Sequence, residues 1–318
     1  MASQFNREAL VEFAQESIAK GSKSFALASQ IFDADTRDRV ILFYAWCRKC
    51  DDITDGQDHG FKDDIERIGE ARSRQSARAR IEVLRKKTSA ALHDKTTDSP
   101  AFDALAIVVK ECAIDKQYIY DIIDGFALDA DEWRPRTEND LYQYCYHVAG
   151  AVGLVMAQIM GIHDEPTLDR ACDLGIAFQL ANIARDIGED DSNDRCYLPI
   201  DWLVEMDIEP GQHMRPHYRT AMAILSAKLC RASRQYAASS RVGAFMLPFR
   251  SRWAILAARR IYVSIADKVL KAGDNAWDQR VFTSKAEKFM SVCAAFFDAI
   301  GSVKPLSRNG LWLSLIHI

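Results

Sequence analysis

The chain has no long apolar run, no surplus of basic residues, no disulfide framework and no flexible linker, and each absence removes a class of protein. No stretch approaches the roughly 18 consecutive apolar residues of a membrane span, and the opening "MASQFNREALVEFAQESIAK" lacks the apolar core of a secretion signal. The sequence therefore reads as cytoplasmic. Its formal charge is −4 at pH 7, whereas a nucleic-acid binder concentrates Lys and Arg to neutralise phosphates, so no nucleic-acid partner is expected. The eight cysteines are scattered through apolar helical patterns and read as reduced, mostly buried thiols. Cys47 and Cys50 form one CxxC, but no second Cys or His pair follows at zinc spacing. Alternating apolar and polar runs are scarce. No Gly/Ser-rich tract, internal repeat or low-complexity segment divides the chain, so one domain is the simplest reading.

What is present is helical periodicity in an ordinary globular composition, 48% hydrophobic and 27% charged. Leu10, Phe13, Ala14 and Ile18 form one stripe, and Val40, Phe43, Tyr44 and Cys47 another. Pro100, Pro135, Pro166, Pro199, Pro210 and Pro216 fall where such patterns break. The polar segments "DADEWRPRTEND" and "EDDSNDRCYLPIDW" read as loops. The basic stretch from Arg72 to Lys87 reads as a solvated helix face, with contact to a membrane surface as the alternative. Residues 1–305 form the expected all-α domain; 306–318, ending "GLWLSLIHI", follow no helical period and read as a frayed or non-native tail.

Two segments break the rule that carboxylates face water. In "CRKCDDITDG" three aspartates close an otherwise apolar helix, although acids are disfavoured at a helix C-terminus. At about 100° per residue, Asp51 and Asp55 extend the stripe of Val40, Tyr44 and Cys47, with Asp52 and Arg48 flanking it. In "FQLANIARDIGEDDSNDRCYLP", Gln179, Asn182, Asp186 and Asp190 form a polar ridge beside Leu180, Ile183 and Ile187. Inward carboxylates are costly unless they border a wet cavity and hold cations. Oxygen-only donors suit a hard ion, Mg²⁺ first and Mn²⁺ as the alternative, shared with substrate phosphate oxygens. Arg48, Arg185 and Arg195 lie near the acids and could contact such a phosphate, or each could pair with its acidic neighbour.

With these residues in place, the chain from about Gly21 to Arg280 resembles the head-to-head isoprenyl diphosphate synthases, the squalene and phytoene synthases. The marks are "SKSF" at Ser22, "CRKCDDITD", "YCYHVAGAVG" from Tyr144, "QLANIARDIGEDDSNDRCYLP" and "RRIYVSIADKV" from Arg259, in the family's order. The resemblance implies an all-α isoprenoid synthase fold around a deep central cavity. It implies that Asp51, Asp52 and Asp55 are the first aspartate-rich motif and Asp186 and Asp190 the second, with Asn182 beside them as a metal ligand. Tyr144 and Arg48 join the acids as catalytic residues. Ser22, Lys23, Ser24, Tyr44, Arg48, Gln179, Asn182, Arg185, Tyr262 and Arg280 are the residues implied for substrate binding, Arg280 resting on the least secure alignment. His147 lies on an apolar helix and is left out of the site as a structural residue.

The activity the resemblance implies is Mg²⁺-dependent prenyl transfer between two identical isoprenyl diphosphates through a cyclopropylcarbinyl diphosphate. Phytoene formation ends in proton loss and needs no NADPH, whereas squalene formation does. Aromatic residues near the deep end mark shorter-chain members of the family; Ser29 and Ile41 stand here instead. The resemblance thus favours two geranylgeranyl diphosphates and 15-cis-phytoene over two farnesyl diphosphates and squalene or dehydrosqualene. A terpene cyclase and a non-catalytic helical assembly factor of the same fold are the other readings. Peripheral attachment to the inner membrane, for release of an apolar product, and contact with other carotenoid-pathway enzymes are the implied partners beyond substrate.

Overall fold

The computed structural model describes residues 6–21, 26, 28–55, 57, 58, 61, 62, 70–95 and 97–312; the side chains of 55–62 and 70–75 lie outside the description. By internal contact the described chain forms two compact units, residues 1–133 with 155–161, and 134–154 with 162–318. Both are built of helices, as periodicity indicates.

Unit 1 contains α1 (Arg7–Gly21), α2 (Ala34–Asp55), a two-residue antiparallel ribbon (Gln57–Asp58 with Phe61–Lys62), α3 (Glu70–Leu92), α4 (Pro100–Glu111) and α5 (Lys116–Ala130). α1 and α4 both pack on α2, and α3 packs on α5. The starts are chemically specified. Asn6 Oδ1 accepts from the amide of Ala9 at 2.7 Å, Asp33 Oδ1 from Thr36 at 3.0 Å and Asp115 Oδ1 from Gln117 at 2.9 Å. Pro100 opens α4, where its missing amide hydrogen is not needed. Glu111 at the end of α4 receives Arg7 of α1 at 2.6 Å and Arg39 of α2 at 3.0 Å, tying three helices together.

Unit 2 contains α6 (Glu138–Cys145), a π-helical turn (Tyr146–Gly150), the start of α7 (Ala151–Ile159), α8 (Glu165–Ser192), α9 (Ile200–Glu205), α10 (Arg219–Ala244), α11 (Phe249–Ala272) and α12 (Lys285–Ile300). α8 is central, packed by α10, α11 and the π-helical turn. The glycines of "YCYHVAGAVG" make that seam. A Cβ on Gly153 would lie 2.5 Å from the Ala171 carbonyl oxygen, and one on Gly175 only 2.2 Å from that of Ala149. Capping boxes at Thr137/Asp140 and Ser284/Glu287 start α6 and α12.

Two readings of the sequence need correction. The second loop is shorter than its polarity suggests: Glu189–Ser192 continue α8, and Ile200 already begins α9. The stretch after residue 305 is held through Trp312. Arg308 meets Asp169 at 2.6 Å and the fully buried Asp173 at 2.8 Å, while Trp312 donates its indole N–H to Asn139 at 2.8 Å. The signal was missed because an extended strap has no period; its information lies in single long-range ion pairs. The basic stretch of α3 is a solvated face as expected: Arg78 is exposed and Arg85 partly exposed, and they pair there with Asp131 and Asp124 of the same unit.

Candidate active site

The first acidic ridge lies at the end of α2. Val40, Ile41, Leu42, Phe43, Ala45 and Trp46 are all buried. The helix is therefore enclosed nearly all round, and four apolar residues could not fix which direction was inward. Asp52, read as flanking the inward stripe, is buried at 3% exposed, whereas Asp51, read as extending it, is only partly buried. The Asp55 side chain lies outside the described residues, as do Ser22, Lys23 and Ser24. Tyr44, Cys47, Arg48 and Asp51 form a partly open strip on an otherwise buried helix.

Asp52 lies 2.9 Å from Arg48 Nη2, one turn earlier, but the contact is not aligned as a hydrogen bond. Asp52 Oδ1 and Arg48 Nε are both buried without one among the described residues. A buried carboxylate oxygen without an aligned hydrogen bond is costly, and an oxygen donor of this kind suits a hard cation. Arg80 donates to the Thr54 carbonyl at 3.0 Å, placing positive charge at the negative end of the α2 dipole. Gly21, at the end of α1, would place a Cβ 2.6 Å from the Tyr44 hydroxyl and 3.7 Å from Arg48 Cδ. Burial pushes the Tyr44 phenol above its usual range.

The second ridge is as the wheel describes: Gln179, Asn182, Asp186 and Asp190 are partly exposed on α8, while Leu180, Ile183 and Ile187 are buried. Its electrostatics differ from the first. Arg185 grips both oxygens of Asp186, and Arg280 reaches the same carboxylate at 3.1 Å and Glu189 at 3.3 Å. Burial pushes the Asp186 carboxyl up, but the two guanidinium groups outweigh it and hold it below the usual range. Arg48 and Arg185 thus both contact acidic neighbours, and Arg280 is brought to the ridge despite its insecure alignment. Arg195 is exposed on the turn after α8.

Aromatic faces complete the site residues of unit 2. Tyr262 stacks on Phe178 with centroids 3.8 Å apart and an interplanar angle of 15°. Burial, only partly opposed by Arg185 and a hydrogen bond with Asn182, pushes its phenol up. Tyr144 is buried and stacks on Tyr197 at 4.8 Å. His147 is buried with its ring against Tyr146. Sequence reasoning missed Phe178, Glu189 and Tyr197. Phe178 and Glu189 adjoin ridge residues, so neighbourhood on the wheel was the available signal; Tyr197 sits in a loop and gave none. Cys50 is a free thiol, pushed well above its usual range by burial, and is held protonated.

These helices with two acid-bearing faces define an isoprenoid synthase fold. The match to known proteins is specific: residues 18–287 fit the squalene/phytoene synthase model, and the chain belongs to that family of prenyltransferases. It is 45% identical over 286 residues to a phytoene synthase of Pseudescherichia vulneris, covering 90% of this chain and 91% of that one. It is 43% identical over 297 residues to the 15-cis-phytoene synthase of Pantoea ananas, covering 93% and 94%. Among solved structures it is similar to a ligand-bound dehydrosqualene synthase, TM-score 0.77 at 25% identity over 91% of this chain and 96% of that one.

Proposed function

We propose that this chain is a 15-cis-phytoene synthase, joining two geranylgeranyl diphosphates head to head with release of two diphosphates. The observation that supports the choice of substrate is the likeness to phytoene synthases at 43–45% identity over nine-tenths of the chain; a pocket of about 410 Å³ in unit 1, lined by Ile18, Ala19, Ser29 and Ile41 with the polar Gln15, Gln30 and Arg37, is in keeping with it. Small and unbranched groups at Ser29 and Ala19 leave room for a long apolar tail, which a ring at Ser29 would shorten. Asp51, Asp52 and Asp55, with Asn182, Asp186 and Asp190, are the residues that would hold Mg²⁺, with Mn²⁺ as the alternative ion. Bound there, the ion supplies Lewis acidity toward a leaving diphosphate.

The remaining residues bind, orient and shield. Arg48, Arg185 and Arg280, with Ser22, Lys23, Ser24 and Gln179, would donate to diphosphate oxygens, the guanidinium fork matching phosphate geometry. Exchange of Asp186 for a diphosphate by Arg185 and Arg280 would free that carboxylate for the ion. The aromatic rings of Tyr44, Tyr144 and Tyr262 would line the path of a carbocation, where ring faces favour positive charge and exclude water. The allylic cation would alkylate the double bond of the second substrate, which loses a proton as the ring closes to a cyclopropylcarbinyl diphosphate. This ionises in turn, rearranges and loses a proton, so NADPH is not consumed. The C40 product is wholly apolar, which favours delivery at a membrane and to enzymes that act there.

The deciding experiment incubates the protein with labelled C15 and C20 diphosphates and Mg²⁺, with and without NADPH, and separates the products. A C40 product from the C20 substrate, independent of NADPH, is expected; a preferred C30 product overturns the assignment.

A further inference from the structure

The last helix of unit 2 is packed the wrong way round for a solvated helix. The inner face of α12 consists of small residues: Ala295 and Ala299 are fully buried, with Val292, against Leu256 and Ala257 of α11. Its large apolar residues face out. Phe289, Met290, Phe297 and Ile300 are each between 61% and 72% exposed. At about 100° per residue these four fall, with the half-buried Cys293, within an arc of about 100° that holds no charged residue. Ring contacts extend the patch: Phe297 meets Phe296 at 5.7 Å, and Phe296 meets Phe249 at the start of α11 at 5.7 Å. A patch this contiguous marks an interaction site.

We propose that this face of α12, with Phe249, is a docking surface for an anionic lipid bilayer. The charge pattern favours that occupant. Both acids of α12 lie outside the arc and are engaged by cations of α11, Glu287 by Lys268 at 2.7 Å and Asp298 by Arg260 at 2.5 Å. Exposed Lys285 lies about 40° from the arc's edge, Arg250 follows Phe249, and exposed Lys304 follows the helix. Protruding phenylalanines flanked by lysines are the pattern of a helix lying in the interface plane. A second copy of the chain fits less well, since a stable dimer takes about 20–30 residues a side and this face offers about six. Among the described residues no helix is long and apolar enough to cross a membrane, so attachment here is peripheral. The surface stands on its own geometry; only its use, discharge of an apolar product, rests on the proposed function.

The test is co-sedimentation of the full chain with vesicles of phosphatidylcholine alone and of phosphatidylcholine with phosphatidylglycerol. Wild type is expected to partition onto the anionic vesicles, more weakly at high salt. Phe289→Gln with Phe297→Gln should lower partitioning by about tenfold or more, and Lys285→Glu by about fivefold. Turnover of detergent-dispersed substrate should be unchanged in all of them, which separates loss of docking from loss of the enzyme. Equal binding by the double variant, or no binding by wild type, overturns the proposal. So does a wild-type dimer that the double variant dissociates, which would give the face to a second copy.

Discussion

On α2, Asp52 is buried beside Arg48 and one of its oxygens has no hydrogen bond among the described residues; on α8, Asp186 is mostly buried, 16% exposed, with both oxygens held by Arg185 and one also by Arg280. Two acidic ridges of similar sequence therefore rest in different electrostatic states. The first carries, beside Arg48, an acceptor without an aligned hydrogen bond. In the second, Arg185 and Arg280 hold the carboxylate, and on the proposed function that charge would pass to a diphosphate. The difference suggests a division of labour: the α2 ridge is prepared for an ion, and the α8 ridge exchanges internal ion pairs for substrate ones.

The strongest test of that division is Asp52→Asn beside Asp186→Asn. Both should lower turnover by about 10³-fold or more, equivalent to about 4 kcal/mol of lost transition-state stabilisation. Melting temperature without Mg²⁺ should separate them. Asp52→Asn removes a buried charge whose contact with Arg48 is not aligned as a hydrogen bond and keeps an amide oxygen there, so its melting temperature is expected to hold or rise. Asp186→Asn removes the charge that Arg185 and Arg280 share and should lose about 1–3 °C. Near-normal turnover in both would end the metal-ridge reading, and equal thermal shifts would end the contrast.

On the proposed function, chain-length choice belongs to unit 1. Ser29→Phe should lower the C20 to C15 ratio of kcat/KM by about 5- to 150-fold, corresponding to about 1–3 kcal/mol of strain in a close-packed wall. An unchanged ratio would remove Ser29, 2% exposed, from substrate selection. On the α8 side, Gly175→Ala should lower the melting temperature by about 3–10 °C, because the new methyl meets backbone at Ala149 rather than a movable side chain. The same substitution at Gly161, which has nothing within 4 Å but a φ of +87°, should cost less, through backbone strain alone; a larger loss there would contradict the seam.

The smallest effect concerns Glu111. Burial raises its carboxyl, but hydrogen bonds from Arg7 and Arg39 outweigh this and hold it below the usual 4.5. A group with a depressed folded value adds stability above its unfolded value and loses it as pH falls through the folded one. Thermal stability should therefore fall on acidification below about pH 4.5, and Glu111→Gln should flatten that slope. An identical slope in the variant would show that other carboxylates carry it.

Much was legible in the sequence because it is local. Helical periodicity, the prolines at Pro100, Pro166 and Pro199 and the Gln179–Asp190 ridge depend on residues within a few turns, whose relative directions the 3.6-residue helix dictates. That Asp52 is more buried than Asp51 was not legible, because α2 is buried nearly all round and only its neighbours in space decide which face is open. The strap through Trp312 was missed because Arg308 finds Asp169 and Asp173 more than 130 residues away. The sequence by itself determined which residues carry charge, which carry rings and how each ridge is spaced along its helix. Tertiary structure decided which carboxylate is left without a hydrogen bond, which arginine answers Asp186 and that α12 turns its phenylalanines outward. Burial and long-range pairing depend on what other segments bring to each side chain, and no local pattern encodes that.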